Sequence, residues 1–234
     1  MSFRIGATVL IDHTGNAIQS YSFKTRRILG CISKVLKFLD GYKVDEIHLI
    51  VPLKQNRPAD MSEIFLKLAD IPVSTPLALG GGINVTNLAQ ISKDPFFERL
   101  IFNSAIYDDL DTVQRANLIM GRQSILACIP FSVRNGELII YHAREDCFKE
   151  VPRGFWEKLD SMVNEVILVD AYSEGSKTGF DFEVLKFINF PHERILISGG
   201  LTKNDIYRAR NMGLAGVSID NFALHSELSI GFLR

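Results

Sequence analysis

The chain has 234 residues, 47% hydrophobic and 23% charged, the balance of an ordinary soluble globular protein with material for a sizeable core. Lys and Arg number 26 against 27 Asp and Glu, a net charge of −1, which argues against the basic footprint of a duplex nucleic-acid binder. No stretch approaches the length of a membrane span, and no signal-peptide h-region follows the N-terminal MSFRIGATVL, so no membrane association is expected. The cysteines Cys31, Cys128 and Cys147 make neither a disulfide framework nor a zinc knuckle and fit a cytoplasmic, reducing setting. The histidines His13, His48, His142, His192 and His225 show no metal-ligand spacing; neither metal nor cofactor is expected.

Along the chain, short β-branched runs alternate with helix-like segments. Strands are expected at 3–10, 46–51, 77–79, 100–103, 125–130, 166–170, 194–198 and 216–219. Between the first two, Ile28, Cys31, Val35, Leu36 and Leu39 fall at helical spacing, and Gly41 is a plausible helix stop. Residues 132–143 interrupt the alternation: Asn135–Gly136 between β-rich flanks predicts a hairpin inserted after the fifth strand. Further on, Thr202 predicts the N-cap of a helix over 202–212, with Asp205 completing a capping box and Gly213 ending it. After the eighth strand little more than LHSELSIGFLR remains, so the eighth helix should be short or missing. Eight strands with intervening helices is the arithmetic of an α/β fold of the (β/α)8 TIM-barrel kind, one domain over 1–234. A six-stranded doubly wound sheet is the alternative, but it leaves two strands over.

A repeat lies at half the chain length. ALGGGI is followed by IFNSA, and ISGGL by SIDNFA; Gly81 to Asn103 and Gly199 to Asn221 are both 22 residues, and the units are offset by 118. Two half-barrels, about 1–120 and 121–234, are the reading, each with an equivalent site. Glycine lets backbone N–H groups approach an anion closely, and barrel loops on the C-terminal face commonly hold phosphate. The plainer reading is that these glycines only make tight turns.

The segments GGGI (80–83), FNSA (102–105), EGSKTGFD (174–181) and SGGL (198–201) carry a family likeness. From about residue 3 to 225 the chain resembles the half-barrel enzymes of histidine biosynthesis, and more closely the cyclase subunit of imidazole glycerol phosphate synthase. The resemblance implies a linear substrate with a phosphate at each end spanning the barrel mouth. It also implies a glutamine amidotransferase (glutaminase) partner on the N-terminal face, whose ammonia travels through the barrel. One phosphate site would be Gly81, Gly82, Asn103 and Ser104; the other would be Gly175, Ser176, Gly199, Gly200 and Asn221. Asp220 puts a carboxylate where the family usually has small residues.

The resemblance also exposes departures. The family's acid/base pair is two aspartates, at the ends of strands one and five. Here strand five offers Pro130, and strand one offers Leu10 or Ile11 depending on the alignment; Asp12 is one residue away and remains the catalytic candidate. Gln19 replaces a lysine and Val51 an aspartate. Proline cannot move a proton, so the ordinary cyclase mechanism is expected to be lost. The family's ammonia gate, a ring of alternating charge at the barrel bottom, is matched in sign by Arg4, Glu46, Arg99 and Glu165, with Asp45 and Glu98 beside them. The expected function is a divergent cyclase-like subunit that pairs with a glutamine amidotransferase. It would accept ammonia for amidation of a phosphorylated or sugar-type small molecule, with surface-polysaccharide sugars the natural guess. The alternatives are a genuine histidine-pathway cyclase, a lyase with rearranged acid/base groups, and a non-catalytic barrel that activates or scaffolds its glutaminase.

Overall fold

Parallel strands covered on both faces read as continuous apolar runs, and this chain places such runs at regular intervals. The computed structural model describes residues 2–12, 14–52, 68 and 71–220. In chain order its strands are β1 (Arg4–Ile11), β2 (Asn16–Tyr21), β3 (Thr25–Cys31), β4 (Ile47–Ile50), β5 (Leu77–Gly80) and β6 (Arg99–Phe102). Then come β7 (Ile125–Arg134), β8 (Glu137–His142), β9 (Cys147–Glu150), β10 (Glu165–Asp170), β11 (Ile195–Ser198) and β12 (Gly216–Ile219). The α-helices are α1 (Ile32–Gly41), α2 (Val85–Ile91), α3 (Ala105–Asp108), α4 (Leu110–Met120), α5 (Phe155–Met162) and α6 (Lys203–Asn211).

Eight strands are parallel neighbours in the order β1, β4, β5, β6, β7, β10, β11, β12, and β12 pairs back onto β1. The sheet is closed. Closure makes the fold a (β/α)8 barrel and excludes the doubly wound sheet. Two apolar clusters follow from the alternation of strand side chains. The larger lies between the barrel and its helices and takes in Ile32, Leu36 and Leu39 of α1 and Val113 and Ala116 of α4. The smaller fills the barrel itself: Ala78, Ile101, Leu126, Ile167, Val169 and Leu196, with Ile50, Cys128 and Phe23 packed against it.

Residues 25–31 depart from the helical expectation. They form β3, antiparallel to β2 (Gln19 opposite Arg27), and α1 begins only at Ile32. The apparent helical spacing of Ile28 is fortuitous, since that side chain is 65% exposed. The hairpin escapes notice because its turn lacks glycine and asparagine. Ser22 (φ 46°) and Phe23 (φ 59°) both adopt the left-handed conformation that Asn-Gly usually supplies. Asn135 (φ 52°) and Gly136 (φ 78°) do supply it at the expected hairpin. That hairpin prolongs β7 itself, Arg134 lying opposite Glu137, and a third strand, β9, joins it beyond the expected range.

The 118-residue offset extends further than glycine. Gly81 and Gly82 have φ of 92° and 67°, and Gly199 and Gly200 have 96° and 67°. Each pair leads into a helix with a complete capping box, Asn84 with Asn87 on α2 and Thr202 with Asp205 on α6. A Cβ at Gly81 would stand 1.9 Å from the Val51 carbonyl oxygen, and one at Gly199 2.6 Å from that of Asp170. Strand register corrects one equivalence. Ala78 pairs with Arg99, whereas its counterpart Leu196 pairs with Gly216. Asn103, one residue beyond β6, therefore corresponds to Asp220, one residue beyond β12, and not to Asn221. Asn221 and the expected short eighth helix lie outside the described residues.

Candidate functional site

At the N-terminal end of the barrel the strands begin with charge. Arg4 opens β1, Glu46 precedes β4, Arg99 opens β6 and Glu165 opens β10. Each is in phase with the inward residues of its strand, so the four side chains converge on the axis. Arg99 Nη1 donates to Glu46 Oε1 and Oε2 at 3.2 and 3.1 Å, and its Nη2 donates to Glu165 Oε2 at 2.5 Å. Arg4 completes the circuit, with Nη2 on Glu165 and Nη1 3.7 Å from Glu46 Oε2. Each carboxylate thus lies between two guanidinium groups. Both are buried, Glu46 at 4% and Glu165 at 3% exposure.

One layer deeper sits a histidine that spacing did not single out. His48 is fully buried, with Nε2 3.1 Å from Glu46 Oε2 and Nδ1 2.7 Å from Ser218 Oγ. Ser218 Oγ is in turn 2.6 Å from Thr8 Oγ1. A polar column therefore rises from the ring before the apolar layer begins. A signal was available: two residues apart on a strand, Glu46 and His48 must share a face.

Burial by itself would raise the Glu46 carboxyl, but His48, Arg99 and Arg4 outweigh it and hold its pKa at about 2. A depressed carboxylate stabilises the fold fully above its unfolded pKa, and that stability is lost as pH falls toward the folded value. Urea unfolding should accordingly show stability declining from near pH 5 toward pH 2, with roughly 3 kcal/mol at stake for this group. Glu46→Gln should flatten that decline; an unchanged slope would remove Glu46 as its source.

At the opposite end, the positions near the ends of strands one and five where the family resemblance places acid/base aspartates are apolar. Leu10 pairs with Ile50, and Pro130 with Val169, so Leu10 and Pro130 share the inward face of partners that belong to the barrel interior. Cys128 also faces this layer, where burial pushes its thiol up to about 12. Asp12 belongs to the β1–β2 turn: Oδ1 accepts from Thr14 N at 2.9 Å, Thr14 Oγ1 at 2.7 Å and Asn16 N at 2.9 Å. Burial favours a higher pKa there, but bonds from Asn16 and Thr14 prevail and keep the carboxyl below its usual range. Gln19 is buried and accepts from Arg27 Nε at 2.7 Å.

The loop after β10 is organised by two carboxylates. Asp170 accepts from the amides of Tyr172, Ser173 and Asp181. Glu174, itself buried, accepts from Ser20 Oγ at 2.5 Å and Phe23 N at 3.1 Å, clamping the β2–β3 hairpin over the mouth. Phe23 then stacks on Tyr141, and Phe148 on Tyr172, with Arg134 over both of the latter rings.

The two expected anion sites differ. In the first half, Asn103 Nδ2 donates to the Cys128 carbonyl at 2.8 Å, Ser104 Oγ lies 3.4 Å from Asn103 Oδ1, and the Gly82 carbonyl accepts from Asn87 Nδ2 at 2.9 Å. In the second half, the amides of Gly175 and Gly200 both donate to Asp220 Oδ2 at 3.0 Å. Ser176 turns its hydroxyl onto the Ser173 carbonyl within its own loop. Beside these loops, Asp108, His142 and Glu145 converge with metal-ligand chemistry, but Arg144 and Lys149 pair with the two carboxylates. That cluster is a charge-balanced clasp between α3 and the β8–β9 hairpin.

A closed (β/α)8 barrel with duplicated glycine turns at one end and a charge ring at the other defines the class. The chain belongs to the histidine biosynthesis protein family, matching it over residues 8–228. It is 27% identical to the provisionally named imidazole glycerol phosphate synthase subunit hisF2 of Campylobacter jejuni, over 97% of this chain and 93% of that protein. It is 26% identical to the provisionally named hisF2 subunit of Vibrio vulnificus, over 91% and 80% of the two chains. Identity to the imidazole glycerol phosphate synthase subunit HisF of Chlorobaculum parvum is 25%, over 80% and 75%. The chain is thus a divergent paralogue similar to the cyclase-type subunits. No described helix is long and apolar enough to cross a membrane.

Proposed function

We propose that this barrel is the ammonia-accepting partner of a cytoplasmic glutamine amidotransferase that docks on its N-terminal face. Ammonia passes the ring of Arg4, Glu46, Arg99 and Glu165 and is delivered toward a phosphorylated or sugar-type ligand at the mouth. Amidation of a surface-polysaccharide sugar is the reaction this reading favours. The observation that carries it is the closed ring. Exposed ion pairs contribute about 0–1 kcal/mol each, and buried ones often stabilise less than apolar side chains of the same volume. Four inward charges continued by His48, Ser218 and Thr8 are therefore better explained by passage and docking than by stability. Asp45 and Glu98 lie on the same end; Asp45 Oδ2 accepts from Ile5 N at 2.6 Å, and Glu98 is exposed.

The test is co-purification with an amidotransferase encoded beside this chain, followed by a glutaminase assay with and without it. A stable complex with raised glutaminase activity is expected; neither complex nor activation would overturn the reading. The apolar residues Leu10 and Pro130 favour a second reading, in which the barrel activates its glutaminase but performs no chemistry. Transfer of label from amide-15N glutamine to an acceptor separates the two, since a pure scaffold would release all the label as ammonia. A genuine histidine-pathway cyclase is less well supported, because the Asp12 oxygen Oδ1 is committed to its turn.

A further inference from the structure

The two halves of the barrel build the same turn twice and then fill it differently. Gly82 and Gly200 occupy equivalent positions with the same φ of 67°, and the residue just past the following strand differs between the halves. In the first half that residue is Asn103, whose amide is drawn to the Cys128 carbonyl. In the second half it is Asp220, 6% exposed, whose Oδ2 takes the N–H groups of both Gly175 and Gly200 at 3.0 Å. An oxygen of a buried anion held by two backbone donors from converging glycine loops is the arrangement an anionic ligand would otherwise make there.

We infer that Asp220 is a built-in occupant of the second anion-binding turn, so that the mouth accepts a ligand with one phosphate-class group, held at the Gly81–Gly82 turn, and rejects one with a phosphate at each end. This rests on the reading that the mouth takes a phosphorylated small molecule. Two features enforce the selection. The amides of Gly175 and Gly200 are already engaged, so an incoming phosphate must expel the carboxylate to reach them. Any phosphate that entered beside it would meet a like charge in a buried setting, a penalty on the order of 100-fold or more in affinity. The turn is also packed closely on its other side: a Cβ at Gly199 or Gly200 would come within 2.6 and 2.7 Å of the Asp170 and Ser173 carbonyl oxygens, respectively.

The experiment titrates the full chain with inorganic phosphate, following binding stoichiometry by calorimetry and the Gly82, Gly175 and Gly200 amides by 15N NMR. Wild type should bind at most one phosphate and shift Gly82 without shifting Gly175 or Gly200. Asp220→Ser, checked for folding by its melting curve, should gain a site that shifts both second-half amides. Asp220→Asn keeps the shape and removes the charge; it should bind phosphate there at least about tenfold tighter than wild type, and it decides the matter alone if the Ser variant does not fold. Wild-type binding at Gly175 and Gly200, or no gained site in a folded variant, overturns the inference. A gained second-half site with no phosphate at Gly82 in any form would leave Asp220 as the occupant. That outcome would instead remove the phosphorylated-ligand reading of the first half.

Discussion

Given ammonium and the linear bis-phosphate substrate of the synthase cyclase, the purified protein should turn over at least about 10⁴-fold more slowly than an ordinary family member. General acid–base catalysis contributes roughly 10²–10⁴-fold per group, and both strand-end positions lack one. Leu10 and Pro130 are not merely different residues at the alignment positions; their register partners Ile50 and Val169 show that they face the barrel interior. A catalytic aspartate there would sit among apolar side chains, and none is present. Asp12 carries a carboxylate nearby, but its bonds to Thr14 and Asn16 favour the ionised form and leave it a weak base. Steady-state assay of product formation checks this, and a rate within about tenfold of an ordinary cyclase would refute it.

Removing one charge from the ring should uncouple the partner. Glu165→Gln keeps the side-chain volume and an acceptor oxygen, yet leaves Arg4 and Arg99 to share the single carboxylate of Glu46. The fold should survive with a loss of about 1–3 kcal/mol, the cost of a weakened buried hydrogen-bond pair. Coupling, measured as label delivered to the acceptor per glutamine hydrolysed, should fall at least about tenfold as ammonia escapes to solvent. Glu183→Gln removes a charge from an exposed pair with Lys186 and serves as the control. Equal coupling in all three proteins would detach the ring from ammonia passage.

Much of the barrel is legible because strands buried on both faces need continuous apolar runs, as Val166, Ile167, Leu168 and Val169 of β10 illustrate. The β2–β3 hairpin is not legible, because Ser22 and Phe23 adopt left-handed conformations with no glycine or asparagine to announce them. Tertiary clamping by Glu174 supplies what local sequence does not. The ring residues can be placed at strand starts by position alone, but their contacts cannot, since Arg4 and Glu165 stand 161 residues apart in the chain. The pairing of Asn103 with Asp220 was hidden by a one-residue difference between the half-repeats. Equal spacing pointed to Asn221, whereas the ladder between β11 and β12 starts one residue earlier than that spacing implies.

Phe23 gives the inner column a second boundary. It reaches the Ile50, Cys128 and Val169 layer from above, while the ion pairs of Arg4, Glu46, Arg99 and Glu165 close the column from below. The column thus has two ends closed by unlike materials. The lower is held by charge and loosens with acid or with salt that reaches its rim. The upper is held by stacked rings, by a turn with two left-handed residues and by the bonds of the buried Glu174 carboxylate to Ser20 and Phe23. On the proposed reading, a partner bound below and a ligand bound above would therefore act on separate ends of the column.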